Sequence, residues 1–94
     1  MGIKNPVITS FSATTGWTQA LASPSPAGSS KGREYLRIQN LSGGLIEIGF
    51  GDSAPTIGEF LADGSERIDT GDVPTGAVWI KGAQAGSVRI GVVQ

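Results

Sequence analysis

Glycine and proline interrupt this chain so often that little room is left for a helix. Fifteen glycines and five prolines are spread over 94 residues, and each of them weakens or ends a helix. No window repeats apolar residues at the i, i+3, i+4 and i+7 positions that an amphipathic helix requires. The chain is therefore predicted to consist of short strands and turns, with almost no helix.

The clearest strand signal lies at residues 33–51, where apolar and polar side chains alternate. Leu36 and Ile38 alternate with polar neighbours, and a similar alternation follows at residues 46–50. Period two places one face of a strand against a core and the other towards solvent. Because glycine adopts positive φ angles without steric cost, the Ser-Gly-Gly turn at residues 42–44 is expected to close the two strands into a hairpin.

The rest of the chain supplies further short strands. A second hairpin is predicted at residues 77–93, around the glycine-bounded turn at residues 82–86. Shorter strand-like segments occur at residues 7–12, 17–21, 57–61 and 65–69. About seven or eight such strands predict an all-β fold, a small antiparallel β-sandwich or a jelly-roll-like barrel. The predicted core contains Leu36, Ile38, Ile46, Ile48, Phe50, Ile68, Val78, Ile80, Val88, Ile90 and Val92, joined by Phe11 and Leu21.

Two segments lack a strand pattern. Residues 1–5 are interpreted as an N-terminal arm that precedes one β-sandwich domain at residues 6–94. Residues 23–32 contain two Ser-Pro pairs followed by a Gly-Ser-Ser-Lys-Gly run, and proline and glycine stop both helices and ladders. This stretch is predicted to be an exposed loop that is mobile or forms contacts, with a plain spacer as the alternative.

The chain contains neither cysteine nor histidine. The first absence excludes disulfides and thiolate zinc sites, and the second removes the most common general base and metal ligand. Eight carboxylates are spread over strands and loops without the ligand spacing of a calcium loop, and are interpreted as solvated charges. The protein is therefore predicted not to be an enzyme and to need no metal or cofactor; a small hydrolase is the weakest alternative.

The charge distribution argues against two further classes of partner. Seven cationic side chains are scattered along a chain whose net charge is -1, so the sequence has no basic patch of the kind that binds nucleic acid. No apolar run approaches the roughly 20 residues that span a membrane. The chain is predicted to bind neither nucleic acid nor a membrane.

Aromatic and loop residues are the best candidates for contact with other proteins. The predicted interface residues are Trp17, Pro24, Pro26, Lys31, Tyr35 and Trp79. The three aromatic residues fall on or near the polar parity of their strands, where they can anchor an interface, close the ends of a core or stack on a sugar. The sequence leaves these three alternatives open. The other three residues belong to the predicted loop.

The order of motifs from residue 33 onward carries a resemblance. The motifs are Arg-Glu-Tyr-Leu-Arg-Ile-Gln-Asn at 33–40, Ser-Gly-Gly at 42–44, Ile-Gly-Phe-Gly at 48–51, Gly-Ser at 64–65, Val-Pro-Thr-Gly-Ala at 73–77 and Val-Arg-Ile at 88–90. This order resembles that of small virion structural proteins of tailed bacteriophages. The resemblance implies a capsid decoration or cement protein that binds the outside of the head and bridges capsid subunits. Residues 1–32 carry no such resemblance.

The same resemblance implies partners and a location. The expected partners are the major capsid protein and further copies of this chain, as a dimer or trimer, on the capsid surface of a virion assembled in the host cytoplasm. A tail, neck or fibre-associated β module of the virion would show the same motif order. A carbohydrate-binding module is the alternative from another class, and a saturable glycan titration would favour it.

Overall fold

The structure, a computed structural model, describes residues 5–22, 33–71 and 73–93. Within these ranges the chain forms eight strands and no helix. The strands are β1 Val7–Ala13, β2 Thr18–Leu21, β3 Tyr35–Leu41, β4 Ile46–Phe50, β5 Glu59–Leu61, β6 Glu66–Thr70, β7 Val78–Gly82 and β8 Gly86–Val93. Every segment predicted to be a strand from the alternation pattern overlaps one of them.

The eight strands form two four-stranded antiparallel sheets around a common core. Sheet A has the order β1-β8-β3-β6 and sheet B the order β2-β7-β4-β5. The chain pairs β1 with β8, β2 with β7, β3 with β6 and β4 with β5, so that it resembles one long hairpin wrapped into two layers. This is the strand order of a jelly roll. The all-β prediction is confirmed.

Both predicted hairpins are wrong, although their strands are present. β3 belongs to sheet A and β4 to sheet B, so residues 42–45 cross between the sheets. In the same way, residues 83–85 carry the chain from β7 in sheet B to β8 in sheet A. A short glycine turn can close a hairpin or carry the chain from one sheet to the other. The alternation of apolar and polar residues in the two strands is the same in either case. The alternation therefore locates the strands without identifying their partners.

The core lies between the two sheets and consists mostly of predicted residues. The buried apolar side chains include Leu36, Ile38, Ile46, Ile48, Val78, Ile80, Val88 and Ile90, while Phe11, Leu21 and Phe50 are partly buried against them. Val92 is also only partly buried. Ile68 was predicted to be a core residue, and this is wrong: its side chain is 52% exposed. It lies opposite Arg37, on the outer face of sheet A.

Charged side chains occupy the inward positions of β6, which explains the exposure of Ile68. Arg67 Nε donates to Asp69 Oδ2 at 2.8 Å, and Arg67 Nη1 donates to Glu59 Oε2 at 2.9 Å on β5. The guanidinium carbon lies 4.8 Å from the centroid of the Phe50 ring. The hydrogen bonds that Arg67 donates to the Asp69 carboxylate raise the pKa of Arg67. These contacts close the side of the sandwich where the edge strands β5 and β6 meet.

Asn40, at the end of β3, organises the first crossing between the sheets. Its side chain is fully buried. Asn40 Nδ2 donates to the carbonyl oxygens of Gly44 at 2.8 Å and Leu61 at 2.9 Å. Its Oδ1 accepts hydrogen bonds from the Ser42 amide at 3.0 Å and the Ser42 hydroxyl at 2.7 Å. One amide group thus fixes the crossing after β3 and ties it to β5.

Arg33, just before β3, is the second buried polar anchor. Its Nη1 donates to the carbonyl oxygens of Pro74 at 2.7 Å and Gly76 at 2.8 Å, and its Nη2 donates to that of Ala22 at 2.9 Å. Burial lowers the pKa of the Arg33 guanidinium by removing solvation from its charge. The side chain joins the end of β2, the start of β3 and the segment before β7.

Candidate functional site

A shallow groove crosses the outer face of sheet A, over strands β1, β8 and β3. It encloses about 100 Å³. Its lining residues are Pro6, Ile8, Tyr35, Arg37, Gln39, Arg89 and Gly91. The groove combines apolar side chains with an aromatic ring, an amide and two guanidinium groups, and tyrosine and arginine are residue types enriched in protein interfaces.

Gly91 forms the floor of this groove. Its partners across the sheet are Ile8 on β1 and Arg37 on β3. A Cβ atom at Gly91 would lie 3.8 Å from Ile8 Cγ1, 3.8 Å from Tyr35 Cε2 and 3.9 Å from Arg37 Cβ, which are ordinary contact distances. Gly91 is also not among the glycines with a positive φ angle. Neither the backbone nor the packing requires glycine here, and its missing side chain leaves the groove open.

The two arginines of the groove differ in how their charges are balanced. Arg37 Nε donates to Glu66 Oε2 at 2.6 Å, and its Nη2 contacts the same oxygen. Arg89 is exposed on β8, between Ser10 and Gln39 on the neighbouring strands. Within residues 5–22, 33–71 and 73–93, no carboxylate lies within ion-pair distance of Arg89. The groove therefore carries the positive charge of Arg89, which no carboxylate of the described residues balances, beside an apolar notch.

A second exposed apolar surface lies on the outer side of sheet B. Phe60 on β5 is 66% exposed and lies opposite Glu47. Together with Leu45 and Lys81 it lines a depression of about 110 Å³. Ile57, which is 84% exposed, belongs to the loop that leads into β5. The two surfaces lie on opposite faces of the sandwich.

The structure separates the three aromatic residues that were predicted to form an interface. Trp79 Nε1 donates to the carbonyl oxygen of Gly51 at 3.0 Å. Trp17 packs against Gly58, where an added Cβ would lie only 2.7 Å from Trp17 Cη2. Both tryptophans are partly buried and hold the loop after β4 against sheet B. Tyr35 lies on the opposite face, in the groove of sheet A.

The remaining predicted contacts lie outside the described residues. These are Pro24, Pro26 and Lys31, together with the whole loop at residues 23–32. Residues 1–4 of the predicted N-terminal arm also fall outside, and Asn5 is exposed. Their predicted roles stay predictions.

Most residues of the groove were missed by sequence reasoning. Ile8, Arg37, Gln39 and Arg89 have outward parity in their strands, but the pairing order that brings β1, β8 and β3 together is not visible in the alternation. Gly91 gave the only local signal, since a glycine inside a strand of β-branched residues often marks a close approach by a ligand or another backbone.

Two features are absent from the described part of the chain, a metal-binding cluster of side chains and a membrane-spanning helix. No group of three or more acidic side chains is placed there to hold a metal ion. Asp63 Oδ1 instead accepts a hydrogen bond from the Gly43 amide at 2.8 Å, which joins the turn after β5 to the crossing after β3. The described residues also hold no helix of the length and apolarity needed to cross a membrane.

We expect Gly49→Ala to destabilise the protein by about 1–3 kcal/mol, the usual effect of overpacking. A Cβ at Gly49 would lie 2.4 Å from Pro55 Cγ, so the loop after β4 would have to move off sheet B. Urea unfolding followed by tryptophan fluorescence measures the effect. Gly16→Ala is the control, because an added Cβ there meets no atom within 4 Å. Equal stability of the two variants would contradict the proposed packing.

Comparison with protein-family models, with curated proteins and with solved structures found no match to this chain. Its function therefore has to be argued from the strand order, the exposed surfaces and the motif order of the sequence.

Proposed function

We propose that this protein is a bacteriophage virion structural protein, a decoration or cement protein that binds the outer surface of the capsid and bridges neighbouring shell subunits. The observation that carries the proposal is the exposure of apolar side chains on both outer faces of the sandwich. Ile8 and Ile68 are 63% and 52% exposed on sheet A, and Phe60 and Ile57 are exposed on the side of sheet B. A bridging protein needs two separate contact surfaces, and opposite faces of a thin sandwich provide them.

The strand order gives independent support. Jelly rolls recur in viral capsid proteins and in lectins. A fold alone does not determine a function, so this support counts only together with the motif order from residue 33 onward. The topology is compatible both with a virion structural protein and with a carbohydrate-binding protein. The motif order from residue 33 onward favours the virion protein.

Bridging would stabilise the shell by mass action. Each docking surface contributes its full free energy only when its subunit is in place, so that the assembled lattice is favoured over separated subunits. A standard protein contact covers about 800 Å² per partner. Two such contacts are roughly a quarter to a third of the 5566 Å² surface of this chain. A protein of this size can therefore hold both.

We expect this protein to be abundant in purified virus particles from its source. Quantitative mass spectrometry against the major shell protein gives the copy number, and a decoration protein should approach the abundance of a lattice component. A ratio of only a few copies per particle would instead place it in the neck, tail or fibres. Absence from particles would reject the virion proposal.

Carbohydrate binding would become the favoured function if the protein were absent from virus particles. A sugar platform normally uses exposed aromatic rings. Trp17 and Trp79 are occupied by contacts within the chain, so among the described residues a platform would depend on Tyr35 on sheet A or on the exposed ring of Phe60 on sheet B. A glycan titration that saturates and shifts the resonances of one of these two rings would support this alternative.

A further inference from the structure

We infer that the groove on sheet A binds an extended acidic segment of a partner protein, in which an aliphatic side chain and a carboxylate are two residues apart. The identification of that partner as a shell protein rests on the proposed function. The chemistry of the bound segment is argued from the groove alone.

The size of the groove favours an inserted side chain over a free small molecule. Its volume of about 100 Å³ is well below the roughly 300–1,000 Å³ of typical small-molecule sites. It is also smaller than the cavity of about 150 Å³ that admits benzene. Ile8 and Tyr35 stand on either side of the floor at Gly91. The notch therefore suits one aliphatic side chain that belongs to a larger partner.

The position of Arg89 determines where the negative charge must lie. Arg89 and Gly91 are two residues apart on β8 and point to the same outer face. Residues i and i+2 of a strand are separated by about 7 Å. An extended peptide has the same spacing between side chains on one of its faces. An aliphatic residue over Gly91 thus brings a carboxylate two residues away to Arg89, next to the Gln39 amide.

Charge complementarity selects an acidic segment over a neutral or basic one. Arg37 is already paired with Glu66, whereas Arg89 has no carboxylate partner among the described residues. Docking of a neutral segment would remove water from the Arg89 guanidinium and offer no negative charge in its place. The loss of solvation would then weaken binding. A basic segment would add repulsion. A carboxylate would compensate for the lost solvation, because it accepts a charge-assisted hydrogen bond from the guanidinium group.

The first test is an NMR titration of the full-length protein with the blocked peptide acetyl-Ser-Thr-Val-Thr-Glu-Thr-Ser-amide. We expect saturable shifts of the backbone amides of Ile8, Tyr35 and Gly91, and weaker binding as salt is raised. Matched peptides that replace the valine by serine or the glutamate by glutamine should bind much more weakly. No saturable shift with the first peptide, or shifts confined to sheet B, would overturn the inference.

The matched variants are Gly91→Ala and Gly16→Ala. The first places a methyl group in the notch at ordinary contact distances, so that the protein should fold while peptide affinity falls at least about tenfold. The second adds the same methyl group where no atom lies within 4 Å, and affinity should not change. Arg89→Gln should remove the preference for the glutamate peptide over the glutamine peptide. Unchanged binding by Gly91→Ala would overturn the site.

Particle binding separates this inference from the proposed function. If both glycine variants bind shells equally well, the groove is not the docking site, although the function stands. If the protein is absent from particles but the peptide results hold, the groove chemistry is supported and only the shell identity fails. If the wild type self-associates in sedimentation experiments and Gly91→Ala abolishes this, the occupant is a second copy, and the inference of a separate acidic partner is overturned.

Discussion

We expect Asn40→Asp to lower the free energy of unfolding by at least about 4 kcal/mol at pH 7. The change is isosteric, but it turns both donors of Asn40 Nδ2 into an acceptor. The carbonyl oxygens of Gly44 and Leu61, now 2.8 and 2.9 Å from that nitrogen, would lose their hydrogen bonds and face a buried negative charge. For a domain of this size the loss corresponds to a decrease in Tm on the order of 20 °C.

The same variant should lose less stability in acid. Burial without a cationic partner raises the pKa of the introduced carboxyl above its value in the unfolded chain. The folded state then binds the proton more tightly, so that this deficit grows as the pH rises from the unfolded-state pKa through the higher folded-state pKa, and shrinks as the pH falls. The protonated form also recovers one donor. Urea unfolding at pH 4 and pH 7, with wild type at each pH as reference, should show the difference.

Gln39→Glu is the matched control for this substitution. It makes the same amide-to-carboxylate change one residue earlier, on the outer face of β3, and should alter the stability by no more than about 0.5 kcal/mol. Ser42→Ala, which removes the hydroxyl donor to Asn40 Oδ1 and leaves the Ser42 amide in place, should cost about 1–2 kcal/mol. If Asn40→Asp fails to fold, this milder variant still measures the network. Equal stabilities of the Asn40 and Gln39 variants would refute the role assigned to the buried amide.

The strands of this protein could be predicted from its sequence, but their pairing could not. Alternation depends on which face of each strand is buried, and this information is local. Pairing depends on partners far along the chain, such as β3 with β6 and β8. The turn at residues 42–44 was expected to close a hairpin, and Gly43 does have a positive φ angle. The same turn chemistry carries the chain from one sheet to the other.

The groove escaped prediction for the same reason. It is assembled from three strands that become neighbours only through the long-range pairing of β8 with β1 and β3. The motif at residues 33–40 was also ambiguous, since it contains both structural and surface residues. Its first and last members, Arg33 and Asn40, are buried anchors, whereas Tyr35 and Arg37 line the groove. The alternation pattern does not predict that Arg33 and Asn40 are buried, because it interprets polar residues as solvent-facing.

We expect Arg33→Met to destabilise the protein by roughly 2–4 kcal/mol. Methionine keeps much of the buried volume but donates no hydrogen bond, so the carbonyl oxygens of Ala22, Pro74 and Gly76 lose their partner together. Removal of a charge from a buried position is itself favourable. This gain is smaller than the loss, because three acceptors that belong to separate segments remain behind and must find water. Urea unfolding of the variant and the wild type measures the net effect.

Arg33→Lys tests whether the charge or the shape of the side chain matters. A planar guanidinium directs several donors at once, whereas an ammonium group is a compact point charge on a flexible stem. The three carbonyl oxygens lie on separate segments, so lysine should recover less than half of the stability lost in Arg33→Met. Arg89→Met, on the exposed face of β8, is the control and should change stability by no more than about 0.5 kcal/mol. Full recovery by lysine would show that charge alone sustains this junction, and equal effects at positions 33 and 89 would remove Arg33 from the anchors of the fold.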